Sequence, residues 1–187
     1  MNTQLQHDQL EPSAWVRRFA PLIAAGGAVL DLACGRGRHA RHLAGLGFRV
    51  EALDRDAAAL AALSGVAGVE TRCVDLEASS WPYASAHFDG IVVANYLHRP
   101  LAHALIHALR PGGVLIYETF ASGNEKLGRP SNPEFLLRPG ELLQWVDGEL
   151  QVLSFEQGRV EQPRPAVIQH ICALRRGVAE CRLDSFS

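Results

Sequence analysis

A chain of 187 residues is long enough for one α/β domain with a buried core, and too short for a cofactor domain beside a separate substrate domain. Its formal net charge of −2 leaves no basic field of the kind a nucleic-acid partner would need. The start is polar with no apolar signal segment, and Asp31 interrupts the longest apolar run, so a cytoplasmic protein with no membrane partner is expected.

In chain order, residues Pro12 to Ala25 carry Trp15, Phe19, Leu22 and Ile23 at roughly helical spacing, which predicts a first helix. Ala28 to Ala33 is a short apolar run that stops at a glycine-containing turn. Arg38 to Leu46 reads as a helix stopped by Gly47. Phe48 to Leu53 is a second strand, and Asp56 an N-cap for an alanine-rich helix through Leu63. Val69 to Val74 is a third strand and Asp89 to Asn95 a fourth. Leu101 to Leu109 is helical, Arg110-Pro111-Gly112-Gly113 a turn, and Val114 to Thr119 a fifth strand. The runs Ile91–Ala94 and Val114–Tyr117 are apolar throughout, as strands covered on both faces require. Leu150 to Glu156 and Ala166 to Arg175 follow as two strands with no helix between them. Gly158 and Pro163-Arg164-Pro165 suit a hairpin, so this pair is expected to be antiparallel.

Strand–helix alternation of this kind predicts a doubly wound α/β fold in a single domain, 1–187. Within it, 1–27 is an N-terminal helical segment, 28–119 the cofactor-binding core, and 120–187 a lid loop, a helix and the terminal strand pair. Four cysteines, Cys34, Cys73, Cys172 and Cys181, include no Cys-x-x-Cys pair. Three lie in apolar strand-like surroundings and read as buried free thiols, which suits a reducing cytosol. Asp184 to Ser187 and the polar start are expected to be poorly ordered.

The densest signal is Val29-Leu30-Asp31-Leu32-Ala33-Cys34-Gly35-Arg36-Gly37, an apolar strand running into a small-residue turn with a helix start behind it. Gly35 and Gly37 permit a sharp turn and close approach to a ligand, and the helix start offers free N–H groups. Gly35-x-Gly37-x-x-Ala40 alone satisfies a loose dinucleotide fingerprint. Asp31 discriminates. An anion at the end of the first strand is badly placed beside a pyrophosphate and well placed for an ammonium group, which S-adenosylmethionine carries. Asp54 ends the second strand, where a carboxylate can accept from both hydroxyls of a ribose. The alternative readings are a structural cap for Asp31 and a helix-start acid for Asp54.

Asp31-x-Ala33-x-Gly35-x-Gly37, then Asp54, Asp75, Phe88-Asp89 and Leu109-Arg110-Pro111-Gly112-Gly113 together resemble the class I S-adenosylmethionine-dependent methyltransferases, from about Val29 to Thr119. Size and pattern also resemble the tellurite-resistance and thiopurine methyltransferase branches. The resemblance implies a Rossmann-like, seven-stranded, mostly parallel sheet with an antiparallel last strand and helices on both faces. It implies S-adenosylmethionine as cofactor, contacted through Asp31, Gly35 and Gly37, with Ala33 standing where the family has its first glycine. It also implies Asp54 at the ribose, Asp75 and the Leu76 backbone at the adenine edge, and Asn95 near the methionine moiety.

Beyond the donor, His98 is read two ways. With Tyr96 it contacts the methyl acceptor or removes its proton; otherwise it caps the following helix. The polar, Gly- and Pro-rich segment from Glu118 to Pro133 is read either as a lid carrying acceptor contacts at Glu118, Glu125, Lys126 and Arg129, or as a solvated connection. Arg38, at a helix start where cations are disfavoured, is the best placed partner for the cofactor carboxylate. His103 and His107 share a helix face, but with no third ligand no metal is expected. The expected activity is methyl transfer to a small-molecule acceptor. RNA or protein methylation and a non-catalytic cofactor-binding module are the alternatives, since fold alone does not separate them.

Overall fold

The computed structural model describes residues 11–177. Seven strands form one sheet: β1 (Ala28–Leu32), β2 (Arg49–Asp54), β3 (Val69–Cys73), β4 (Phe88–Ala94), β5 (Leu109–Phe120), β6 (Leu150–Val160) and β7 (Ala166–Arg175). Their spatial order is β3-β2-β1-β4-β5-β7-β6. The first five strands pair in parallel, and β7 runs antiparallel between β5 and β6. The order reverses between β1 and β4, which opens a crevice at the carboxyl ends of those strands.

Side-chain alternation sends successive strand residues to opposite cores. Val29, Val92 and Ile116 pack under α1 (Ala14–Phe19), α2 (Arg38–Gly45) and α3 (Ala57–Leu60), with Trp15, Val16, Leu43 and Leu63 facing them. Leu30, Ile91, Leu115 and Tyr117 face the other way, against α4 (Ala102–Ala108) and α5 (Glu141–Val146). The segment between β3 and β4 holds no helix. Trp81 and Tyr83 cover that part of the second face instead, and the Tyr83 hydroxyl donates to Glu51 on β2 at 2.7 Å. No helix among the described residues is long and apolar enough to cross a membrane.

Several local expectations shift. The first helix is shorter than Pro12 to Ala25: Ser13 caps it, and it tightens to a 3-10 turn at Ala20–Leu22, where Pro21 supplies no N–H. The alanine-rich helix likewise tightens after Leu60, behind the Asp56 cap that the sequence predicted. Arg110 to Gly113 is looped out within β5 rather than ahead of it, since Phe88 pairs with Leu109 and Gly90 with Val114. Asp89 holds this bulge: its Oδ2 accepts from the Ala28 N–H at 2.7 Å and from Arg110 Nη1 at 2.6 Å. Gly158 lies inside β6, so the hairpin turn is 161–165 alone. Cys34 and Cys172 are buried as expected, but Cys73 is exposed because β3 is an edge strand with both faces open. Cys181 and Asp184 to Ser187 fall outside the described residues.

Candidate functional site

The turn after β1 is held by one bond within itself and two to the end of β2. Gly37 N–H donates to the Cys34 carbonyl at 2.9 Å, Cys34 N–H to the Leu53 carbonyl at 3.0 Å, and Gly35 N–H to Asp54 Oδ2 at 2.7 Å. The two glycines have different reasons to be glycine. Both have positive φ, +55° and +76°. A Cβ on Gly37 would lie 2.4 Å from Leu63 Cδ2, so the close approach of α2 to the 61–63 turn requires its absence. A Cβ on Gly35 would meet nothing within 4 Å, so that face of the turn is open to a ligand. Ala33 and Asn95 also have positive φ, +53° and +57°, and both stand at strand ends facing the crevice.

Asp31 is 1% exposed. The Ala40 backbone N–H, in the first turn of α2, donates to its carboxyl, while Oδ2 is buried with no hydrogen-bond partner. One oxygen therefore caps the start of α2, and the other is left without a partner. Burial pushes the carboxyl up from 3.8 to about 7, against the Ala40 bond and the Arg38 charge that lower it. An incoming ammonium group would satisfy Oδ2 and hold the carboxylate ionised; a pyrophosphate would do neither. The Cys34 thiol beside it is pushed up by burial and then by Asp31 and Asp54, so it is held protonated.

Two adjoining cavities share Ala33. The smaller, of about 230 Å³, is lined by Asp54, Asp75, Leu76, Glu77 and Tyr96. Asp54 reaches it from the end of β2, with Oδ1 also accepting from the Asp56 N–H at 3.0 Å, while Asp75 Oδ1 accepts from Glu77 N–H at 3.0 Å. The larger, of about 550 Å³, is lined by Gly35, Arg36, Arg38, His39, Asn95, Pro163 and Arg164. Of the donor-side residues expected from the sequence, Ala33, Gly35, Arg38, Asp54, Asp75, Leu76 and Asn95 line one of the two cavities; Gly37 faces Leu63 instead, and Asp31 is buried beneath the turn. The residues fit an ammonium-bearing nucleoside ligand by the orphaned Asp31 oxygen, the open face at Gly35 and the carboxylates at the β2 and β3 ends.

The acceptor side is rearranged. Tyr96 lines the smaller cavity, and its phenol is pushed up to about 12 by burial and by Glu77 and Asp75, so it is a hydrogen-bond donor and no base near neutrality. His98 lines neither cavity; it stands at the N-cap position of the 3-10 turn Arg99–Leu101 without a side-chain cap bond. Glu125 Oε2 accepts from the Gly123 N–H at 2.7 Å, and Arg129, exposed, offers its carbonyl to Arg164; neither lines a cavity. The segment read as a lid or a solvated connection is hydrogen-bonded to the sheet at its base. Ala121 N–H donates to Val167 O at 2.8 Å, Val167 N–H to Asn124 Oδ1 at 3.2 Å, and Asn124 Nδ2 to Pro130 O at 2.9 Å. The cleft wall comes from the β6–β7 hairpin, where Arg164 lies over the Phe120 ring at 5.4 Å. The Pro-Arg-Pro spelling signals the turn but nothing about which way it folds.

In sequence His39 is one of a run of basic residues with Arg36, Arg38, Arg41 and His42 at the start of α2, with no separate signal of its own. It is 3% exposed and lines the larger cavity. Burial, then Arg38 and His42, lowers its pKa to about 3, so it is a neutral acceptor for the Ser13 N–H at 3.2 Å. The His103 and His107 rings stack 4.0 Å apart on α4, and no group of three or more metal-capable side chains forms among the described residues.

Residues 29–113 match the family model described as a methyltransferase domain. No curated protein matches the chain. Among solved structures it is similar to TehB from Haemophilus influenzae, with a TM-score of 0.75 and 19% identity, covering 88% of this chain and 63% of that one. The chain thus spans less than two thirds of that protein's length. It is also similar to a SAM-dependent methyltransferase from Methanosarcina mazei, with a TM-score of 0.69, 17% identity, and 90% and 100% coverage. A TehB-like SAM-dependent methyltransferase from Corynebacterium glutamicum gives 0.64 and 18% identity, with 87% of each chain covered. At these identities the structures report the fold.

Proposed function

We propose that the chain is a class I S-adenosylmethionine-dependent methyltransferase whose methyl acceptor is a small molecule received in the larger cleft. The observation that carries this reading is the cleft's size, about 550 Å³, between Arg38 and His39 on one side and Pro163 and Arg164 on the other. That volume lies in the range of small-ligand sites, and the chain's net charge of −2 offers no long basic track for RNA.

On this reading Asp31 holds the donor's ammonium through its unpartnered oxygen and Arg38 the donor's carboxylate. Asp54 holds the ribose hydroxyls, and Asp75 with the Leu76 amide flanks the adenine edge. Asn95 lies near the methionine moiety. The donor supplies a methyl group on a sulfonium, whose charge is lost as the methyl moves. The protein's task is then alignment and exclusion of water. Tyr96 can orient groups by donating a hydrogen bond, and the Tyr117 hydroxyl fixes its backbone by donating to the Tyr96 carbonyl at 2.8 Å.

The test is to incubate the protein with methyl-labelled donor and three acceptor fractions of one cell extract: low-mass filtrate, RNA and protein. Label is expected in the filtrate. Label in RNA or protein with none in the filtrate would overturn the small-molecule reading.

A further inference from the structure

A polar cluster beside the cleft has no role in the donor site. Glu118 lies two residues before the end of β5 and lines neither cavity; Asn95, beside it on the cleft wall, donates its backbone N–H to the Glu118 carbonyl at 2.9 Å. Its side chain is 12% exposed. His170, opposite it on β7, brings Nε2 to 3.7 Å from Glu118 Oε2, and its own Nδ1 is buried with no partner. Ser13, the α1 cap, donates through its hydroxyl to Glu118 and through its backbone N–H to His39 on the cleft wall. Trp15 packs against the His170 ring at 4.7 Å. Four distant segments therefore spend polar groups on one half-sealed spot at the sheet edge, between the donor turn and the hairpin. Burying such groups costs stability that packing alone would not require.

We infer that Glu118 is the proton acceptor of the methyl-transfer step and His170 its positioning residue, so the substrates are protic nucleophiles with an N–H, O–H or S–H group. The inference rests on the small-molecule reading above. As the acceptor's X–H bond breaks, its proton passes to a Glu118 oxygen and its electron pair forms the new bond to the methyl carbon. The pair of the broken C–S bond stays on sulfur, and the proton passes from Glu118 to solvent, to which its side chain is 12% exposed. Chemistry at this position suits the task. Burial holds Glu118 above the ordinary carboxylate range, opposed by the Ser13 bond and the Arg38 charge, and burial holds His170 low, opposed by Glu156. The charged and titratable groups around the pair are Arg38 and His39 from α2, and Glu156 on β6 with its partner Arg18 from α1.

The test compares two ligands by calorimetry on the full chain: S-adenosylhomocysteine, and sinefungin, in which an amine-bearing carbon replaces the methylated sulfonium. A carboxylate facing the methyl position favours the cationic ligand. In Glu118→Gln the preference for sinefungin should fall about tenfold while S-adenosylhomocysteine binds unchanged, which also shows that the variant is folded. In the wild type the preference should fade as pH drops through a midpoint above the ordinary carboxylate range, and His170→Asn should move that midpoint upward. An unchanged preference in Glu118→Gln overturns the proton-acceptor role. An unmoved midpoint in His170→Asn overturns the positioning role. Failure of the wild type to bind either ligand would instead overturn the donor assignment on which both depend.

Discussion

The donor end and the acceptor end of the cleft share one sheet edge and are assembled in opposite ways. At the donor end a β-strand, a turn and a helix start are consecutive in sequence, and Asp54 lies 19 positions from the Gly35 it bonds. At the acceptor end Ser13, Glu118, Arg164 and His170 come from four segments spread across the described chain. A site made from neighbours demands particular residue types at fixed spacing, because backbone geometry does the positioning. A site made from distant segments demands only that each element arrive, and many side chains satisfy that.

The sharpest way to break the comparison is within the turn itself. Gly37→Ala places a Cβ against Leu63 at positive φ, and a loss of about 2–4 kcal/mol in denaturant unfolding is expected. Adding Leu63→Ala should relieve the steric part of the Gly37→Ala defect and leave a cavity and conformational cost. Gly35→Ala, with open space around its Cβ, should cost only about 1–2 kcal/mol of stability while weakening donor binding. If both alanines destabilise equally, the division between a packing glycine and a ligand-facing glycine fails.

Next in size is Asp31→Asn, expected to weaken S-adenosylmethionine binding by about ten- to a hundredfold in calorimetry. The empty protein should respond in the opposite direction. Asp31 in the folded state titrates near 7 against 3.8 ordinarily, so the folded chain holds a proton that the unfolded chain releases. Its contribution to stability is complete below about 4 and is lost as pH rises through about 7, a swing of order 4 kcal/mol as an upper figure. Thermal melts of the empty wild type should therefore fall over that window more steeply than those of Asp31→Asn. Parallel profiles would show that the carboxyl is not held protonated.

The smallest effect belongs to the acceptor end. Arg164 is exposed, and Arg164→Ala should change stability by no more than about 0.5 kcal/mol and donor affinity by less than about twofold. A large loss of donor affinity there would mean that the two ends do not divide as described.

How much was legible follows the same line. Apolar runs at Ile91–Ala94 and Val114–Tyr117 announced covered central strands, and the structure buries them on both faces. Asp31, Gly35, Gly37 and Asp54 announced the donor turn because each answers a local geometric need. Arg110 to Gly113 read as a free turn because the sequence does not show Asp89 gripping Arg110 across 21 positions. The segment after Glu118 read as either a lid or a solvated connection because its glycines and prolines are visible while the Asn124–Val167 bond, spanning 43 positions, is not. His98 followed a strand end, as crevice residues do, and the chain then turned it away. Glu118 was visible as a strand-end acid, but its partners Ser13 and His170 carried no pattern at all.

The central claim is that the unpartnered, half-protonated carboxyl of Asp31 selects an ammonium-bearing donor. Calorimetric titration of the wild type with S-adenosylhomocysteine near neutrality, in two buffers of different ionisation enthalpy, tests it directly. Binding should release roughly half a proton from Asp31 in the wild type and none from Asp31→Asn. Equal proton release by both proteins, or binding of NAD with neither sulfur ligand, would contradict it.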